Sequence, residues 1–313
     1  MTATYEIYAD EGWTHGGHPP NRYWCFFGGI FGEESALERL NTELRKIKAT
    51  HAVNSEIKWS KVGANNITCC QAMVDCLFWH IRSSKVKYRQ FFVDRALVWT
   101  PANSEKPDSD LTVQFKMYYQ FLKHAFGLRY LPRNVNSTPS TIMIRLDDHP
   151  SPKHKQDLVA FAERLPLSLH RPDLRIAVSF LNSGKHERLQ ICDLLMGAAG
   201  FYGNRHHEHR KPGQRGMSEK QRLKKSLAWH IYTHLRHLDA EERGSKNFNW
   251  FESTGLQGNQ QNLYNYKARI WKFQPAEHQR DLGWNQSSLD RHGGYAGPRL
   301  VPALSGTDGK TTT

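Results

Sequence analysis

Acidic residues set inside apolar runs are the first sign of chemistry in this chain. Four segments carry them: YADEG around Asp10, SEIKWSK around Glu56, MIRLDDH around Asp147 and Asp148, and LQICDLLMGA around Asp193. An unpaired carboxylate in apolar surroundings is costly. Carboxylates that converge from separate segments would be expected to hold divalent cations, and Mg²⁺ takes oxygen ligands of this kind. Two such ions about 3.5–4 Å apart activate a water and stabilise the leaving oxygen of an in-line phosphoryl displacement. Each acid also has a plainer reading. Asp10-Glu11 and Asp147-Asp148-His149-Pro150 both fit turns. Glu56 can pair with Lys58 or Lys61. Asp193, amid Leu189, Ile191, Cys192, Leu194 and Leu195, is the hardest to explain that way, because Asp is seldom fully buried unpaired.

The chain around these acids is basic. It carries 43 Lys and Arg against 30 Asp and Glu, a net charge of +13. Such a balance points to nucleic acid or an anionic membrane as partner. No apolar run approaches the roughly 20 residues that span a bilayer, so nucleic acid is the expected partner. The N-terminus lacks the basic start and apolar stretch of a signal peptide. The five cysteines are odd in number, with Cys69 and Cys70 adjacent and no CxxC pair. That usage suits a reduced, cytoplasmic chain.

The elements that must position the acids follow from periodicity. Strands are expected at Thr4–Asp10, Tyr23–Phe31, Val86–Leu97, Thr141–Asp147 and Leu174–Leu181. Helices are expected over 35–50, 66–81, 111–126, 155–165, 189–202 and 218–238. Glu56–Val62 reads as short and extended, and residues 100–110 as a polar loop. The Asp193 helix is expected to cross the sheet edge and offer its carboxylate from the side. Residues 205–225 are strongly basic, the FNWF and YKARIWKF stretches suggest a hairpin, and a loosely ordered tail is expected from Gln274. The pattern is α/β around a mixed sheet flanked by helices.

The joint order of the acidic segments resembles the domain-of-unknown-function 3800 family, whose fold is ribonuclease H-like. The matching stretches are YADEG, EIKWSK, IRLDDH and LQICDLLMGA, together spanning about residues 4–203. The second and fourth are the most specific. The family's first motif reads Asp-Glu-Ser/Ala-Gly, whereas here Gly12 directly follows Glu11. The resemblance implies a ribonuclease H-like catalytic domain over 1–204; the composition beyond it suggests a basic helical and aromatic extension over 205–273 packed on that domain, and then the tail. It implies Asp10, Glu56, Asp147 and Asp193 as catalytic residues and ligands of two Mg²⁺ or Mn²⁺ ions. Successive strand residues face opposite ways, so Asp147 is favoured over Asp148, with Asp148 and Glu11 in reserve.

Lys58 and Lys61 are placed to meet phosphate, as are Arg205, Arg210 and Lys211 of the basic run. His149 and His186 are candidate proton shuttles, though turn histidines are as ordinary a reading. The RHHEH cluster lacks cysteines and HExxH spacing, so phosphate binding suits it better than zinc. No GxxxxGK[ST] loop occurs, which argues against an ATP-handling enzyme. The expected function is metal-dependent hydrolysis of RNA or DNA phosphodiesters. The alternative is a nucleic-acid- or partner-binding module on the same fold with little or no catalysis.

Overall fold

The computed structural model describes residues 4–14, 21–99, 110–133, 139–209, 213, 215–275, 278–284 and 300–302. Residues 100–109 of the expected polar loop, with Arg210, Lys211 and most of the tail, lie outside the described residues. In chain order the strands are β1 (Thr4–Gly12), β2 (Tyr23–Glu33), β3 (Val86–Asp94), β4 (Leu97–Trp99), β5 (Ser140–Asp147), β6 (Leu174–Leu181), β7 (Ala268–Phe273), β8 (His278–Asp281) and β9 (Leu300–Pro302). The helices are α1 (Glu34–Thr50), α2 (Ile67–Arg82), α3 (Asp110–His124), α4 (Pro152–Glu163), α5 (Leu165–Ser168), α6 (Glu187–Gly203), α7 (Glu219–Arg243) and α8 (Asn262–Asn265).

Six strands form one mixed sheet in the order β6-β5-β1-β2-β3-β7. β1 and β2 are antiparallel, as are β2 and β3, while β5 runs parallel to β1 and β6 parallel to β5. Alternation along the strands sorts side chains onto two faces. Tyr8, Ile30 and Tyr88 meet residues of α1, α2, α6 and α7 in one apolar core. Ile7, Ala9, Ile142, Ile144 and Leu146 meet α3 and α4 in the other. Helices on both faces of a mixed sheet are the α/β arrangement expected.

α6 lies on the sheet face over β1 and β2, not across an edge as the sequence suggested. Its helix is apolar almost all round, with Leu189, Ile191, Leu194, Leu195 and Met196 all buried. Such a helix belongs between layers, and α1, α2 and α7 cover its outer side.

Three other expectations are corrected. The 86–97 strand breaks at Arg95-Ala96, and its end, β4, joins β8 and β9 in a separate three-stranded sheet. Part of the supposedly loose tail is therefore paired strand. The aromatic stretches 248–251 and 266–273 do not make a hairpin. β7 instead adds to the main sheet beside β3, parallel to it. Parallel pairing requires a crossover, and α7 with the loop after it brings the chain back to that edge. Trp250 on this loop is buried, and its Nε1 donates to Gln90 Oε1 at 2.9 Å. Trp250→Ala should therefore destabilise the fold by about 3–5 kcal/mol, measurable by chemical denaturation.

EIKWSK is not extended throughout. Residues 59–61 form a single 3-10 turn. The backbone here has no strand partner. Its N–H groups are instead taken by side chains of α6: Ile57 N donates to Gln190 Oε1 at 3.1 Å, and Trp59 N donates to Asp193 Oδ2.

Candidate active site

Asp10 and Asp147 stand at the C-terminal ends of adjacent parallel strands, so they share one edge of the sheet. They also share a face. Glu6, on the Asp10 side of β1, meets Arg145 of β5 at 3.6 Å and Arg188 of α6 at 3.3 Å. Period-two alternation then turns Asp10 and Asp147 toward α6 as well. Cys192 Sγ lies 3.5 Å from Tyr8 O, which seats the next residue, Asp193, over the end of β1. The sequence doublet is resolved by the same alternation. Asp147 Oδ1 accepts from Ser183 N at 3.1 Å and faces inward. Asp148 has a side chain 60% exposed and pairs with Lys155 of α4 at 2.8 Å.

These carboxylates lie within one another's electrostatic reach. Burial, then the charges of Glu11, Asp193 and Asp147, hold Asp10 well above the usual carboxylate range. It is only 6% exposed. Burial pushes Asp193 up to about 6, with the Trp59 N–H and Lys58 opposing and Asp147 and Glu56 adding to the rise. Glu11 points to the α3 side, where Gln114 Nε2 donates to its Oε1 at 3.4 Å. Among the described residues its buried Oε2 has no hydrogen-bond partner. Burial, then Asp147, pushes Glu11 to about 8.

Glu56 differs from the other acids. Burial opposes its ionisation, but Ser183 and Lys58 outweigh it and hold the carboxyl below its ordinary range. Ser183 Oγ donates to Glu56 Oε1 at 2.8 Å, so Ser183 ties Glu56 and Asp147 together. Lys58 and Lys61 flank Glu56 at 3.2 and 3.3 Å. Burial works against the charge of Lys58, yet Glu56, Asp147 and Asp10 together raise its pKa. Its ammonium thus lies within reach of three of the acids.

Gln190, one turn before Asp193, organises the neighbourhood. Its Oε1 accepts from Ile57 N and Lys48 Nζ, and its Nε2 donates to Ser183 O at 2.8 Å. Gln190→Leu would leave Ile57 N of the Glu56 segment and Ser183 O of the turn after β6 unpaired. We expect a loss of about 3 kcal/mol, read by denaturant unfolding.

Beside the acids opens a cleft of ≈ 630 Å³. Asp193, Gly197 and Gly200 follow one another at helical spacing on α6, and the two glycines leave room for tryptophans. A Cβ on Gly197 would sit 2.3 Å from Trp59, and one on Gly200 would sit 2.0 Å from the Trp13 indole. Trp13 holds a left-handed backbone at φ 55°, a conformation rarely tolerated by bulky residues. His206 stacks on it at 4.9 Å, and Lys224 of α7 lies over the Trp59 ring at 5.1 Å. Burial, then Lys220, brings the Lys224 ammonium down to about 8. Gly197→Ala should displace Trp59 and cost roughly 1–3 kcal/mol, seen as a lowered Tm and altered tryptophan fluorescence.

The remaining predicted residues separate. Lys61 is exposed. Arg205 turns to Glu208 at 2.7 Å instead of lining the cleft. His149 packs edge-on to Phe115 of α3, and its Nδ1 accepts from Ser151 N. His186 caps α6. In the RHHEH run, His206 lies against Trp13 and His207 stacks on Tyr202 at 5.1 Å. Sequence reasoning missed Trp13, Ser183, Gln190, Lys220 and Lys224. The i, i+4 lysines of α7 and the Gly197/Gly200 spacing were available signals, whereas Ser183 and Gln190 carried none.

Among the described residues, three-ligand groups closing within 4.8 Å form elsewhere: Glu43, Cys76 and His80 between α1 and α2, and Asp75, His230 and His234 between α2 and α7. The acidic set does not close to that distance among the described residues. Buried, mutually repelling carboxylates, one with an orphaned oxygen, are the donor chemistry that Mg²⁺ or Mn²⁺ would satisfy.

No protein-family model matches the chain, and a search of curated proteins finds no significant match. No helix among the described residues is long and apolar enough to cross a membrane.

Proposed function

We propose that this protein is a metal-dependent nuclease of ribonuclease H-like fold, hydrolysing phosphodiester bonds of RNA or DNA. The observation that carries this reading is the convergence of Asp10, Asp147 and Asp193, with Glu11 and Glu56 beside them, at the C-terminal edge of β1 and β5. The order β3-β2-β1-β5-β6, antiparallel for the first three strands and parallel thereafter, supports the fold assignment. The four family-like segments support it too, since EIKWSK and LQICDLLMGA are joined by the Ile57–Gln190 and Trp59–Asp193 hydrogen bonds.

Asp10, Asp147 and Asp193 would hold two Mg²⁺ or Mn²⁺ ions, with Glu56 and Glu11 at the margins. Bound, the ions would supply a water of lowered pKa and neutralise charge on the leaving oxygen. The chain's own part is orientation. Ser183 fixes Asp147 and Glu56, and the Trp59 N–H fixes Asp193. Lys58 offers its ammonium to a phosphate oxygen entering between Glu56 and Asp147, and the basic surface draws the polyanion in.

The second reading, a binding module without turnover, draws on Glu56 being occupied by Ser183 and two lysines. The pure chain incubated with labelled RNA, single-stranded DNA, duplex and hybrid, with and without Mg²⁺ or Mn²⁺, separates the two. Salt-sensitive binding without cleavage favours the module. Metal-dependent cleavage favours the nuclease, and within it Asp147→Asn should cost roughly a hundredfold in rate, whereas Asp148→Asn should change it by less than about threefold.

A further inference from the structure

The cleft beside Asp193 contains more than phosphate chemistry needs. A polyanion alone asks for cations. This cleft has an aromatic wall faced by Trp13, with the buried Trp59, Met196 and Phe201 packed behind it, directly next to the carboxylate. Its volume of ≈ 630 Å³ falls among those of ligand pockets. The wall is built with care. Trp13 occupies a strained backbone, α6 gives up two side chains at Gly197 and Gly200, and His206 backs the Trp13 ring. The rim is cationic. Lys220 and Lys224 stand one turn apart on α7, with Lys224 over the Trp59 ring and within reach of the Asp193 charge.

In a duplex the bases are stacked and paired, and extruding one costs a few kcal/mol. In a single strand the bases are free to leave water for an aromatic surface, at a gain of about 1–3 kcal/mol each. Resting on the nuclease reading of the adjacent acids, we propose that this cleft is a subsite for one unpaired nucleotide next to the scissile phosphate. The base lodges against Trp13, and Lys220 and Lys224 meet the neighbouring phosphates. The substrate is accordingly single-stranded, or carries a single-stranded end. RNA and DNA share this chemistry, so both sugars belong in the test.

The test uses the full chain carrying Asp10→Asn, which leaves the labelled probe intact, and fluorescence anisotropy at one fixed salt concentration. The probes are a single-stranded oligonucleotide of each sugar, its blunt duplex, and that duplex with a single-stranded overhang. The single strand and the overhang should bind at least about tenfold tighter than the blunt duplex. Adding Lys220→Ala and Lys224→Ala should weaken single-strand binding about tenfold and blunt-duplex binding less than about twofold. Trp13→Leu should repeat the single-strand loss. The lysine pair, on the surface of α7, keeps the test valid if the Trp13 variant does not fold. Equal affinity for blunt duplex and single strand overturns the proposal, as does an equal loss on both probes in the lysine variant. Displacement of the oligonucleotide by an equal concentration of free nucleoside monophosphate also overturns it, because the ligand is then a free nucleotide. Cleavage by the wild-type chain is scored separately. Selective single-strand binding with no cleavage in Mg²⁺ or Mn²⁺ sinks the hydrolytic reading and leaves the subsite standing. Equal cleavage and equal binding of all probes do the reverse.

Discussion

Asp193→Asn and Asp10→Asn should each lower the proposed metal-dependent cleavage by at least about a thousandfold, and neither should unfold the protein. The two halves of this result have one cause. Asp10 is buried among Glu11, Asp193 and Asp147, and among the described residues the Glu11 N–H alone donates to it, at 2.7 Å. An amide there removes a repelled charge from the metal-free chain and removes a cation ligand from the loaded one. The metal-free variants should therefore melt at or above the wild-type temperature near pH 8, while activity disappears. Thermal scans in a chelator and single-turnover cleavage assays measure the two together. A variant that keeps wild-type cleavage would show that the acids do not form the working site.

The contribution of Asp193 and Glu11 to the stability of the metal-free protein should fall as pH rises from about 4 to about 8. Below about 6.5 it is opposed by His206, whose pKa burial brings down to about 4, so the Asp193→Asn and Glu11→Gln variants isolate it. Asp193 titrates at about 6 and Glu11 at about 8 in the folded chain, against ordinary values near 4 in the unfolded one. Between those limits the folded state holds protons that the unfolded state has lost, so raising the pH favours unfolding. The combined effect should be roughly 5–10 °C in Tm. Mg²⁺ or Mn²⁺ should reverse it, and by more at pH 8 than at pH 5, because deprotonated carboxylates are the ligands. A Tm flat across this window, with no response to divalent cations, would contradict the burial and crowding of these groups. Ca²⁺ serves as a control for a general oxygen-ligand effect.

Much of the scaffold was legible from periodicity. Leu174–Leu181 coincides with β6, and β5 and α6 differ from expectation by one or two residues at their ends. Local sequence carries such information because a strand or helix must present one apolar face. The placement of β7 was not legible. Ala268–Phe273 has strand composition, but its partner is β3, distant in sequence, and nothing local chooses that edge over a hairpin. The orientation of α6 was likewise hidden, because a helix apolar on all sides announces burial without saying between which layers. Ser183 illustrates a further limit. A lone serine after a strand looks like any turn, and only its hydrogen bonds to Asp147 and Glu56 give it meaning.

The acids sort in the same way. From residue types alone it followed that Asp193 needed a partner and that only one of Asp147 and Asp148 could face inward, since burial costs and strand alternation are local physics. Whether the four segments met at all was a question of long-range pairing. β1 lying parallel beside β5 and α6 lying across β1 bring Asp10, Asp147 and Asp193 to one place. Glu56 arrives there because Gln190 and Asp193 hold the backbone of its segment. The tryptophan-walled cleft was decided last and entirely in three dimensions. It exists because two glycines on α6 admit rings from residues 13 and 59, a contact that neither segment encodes by itself.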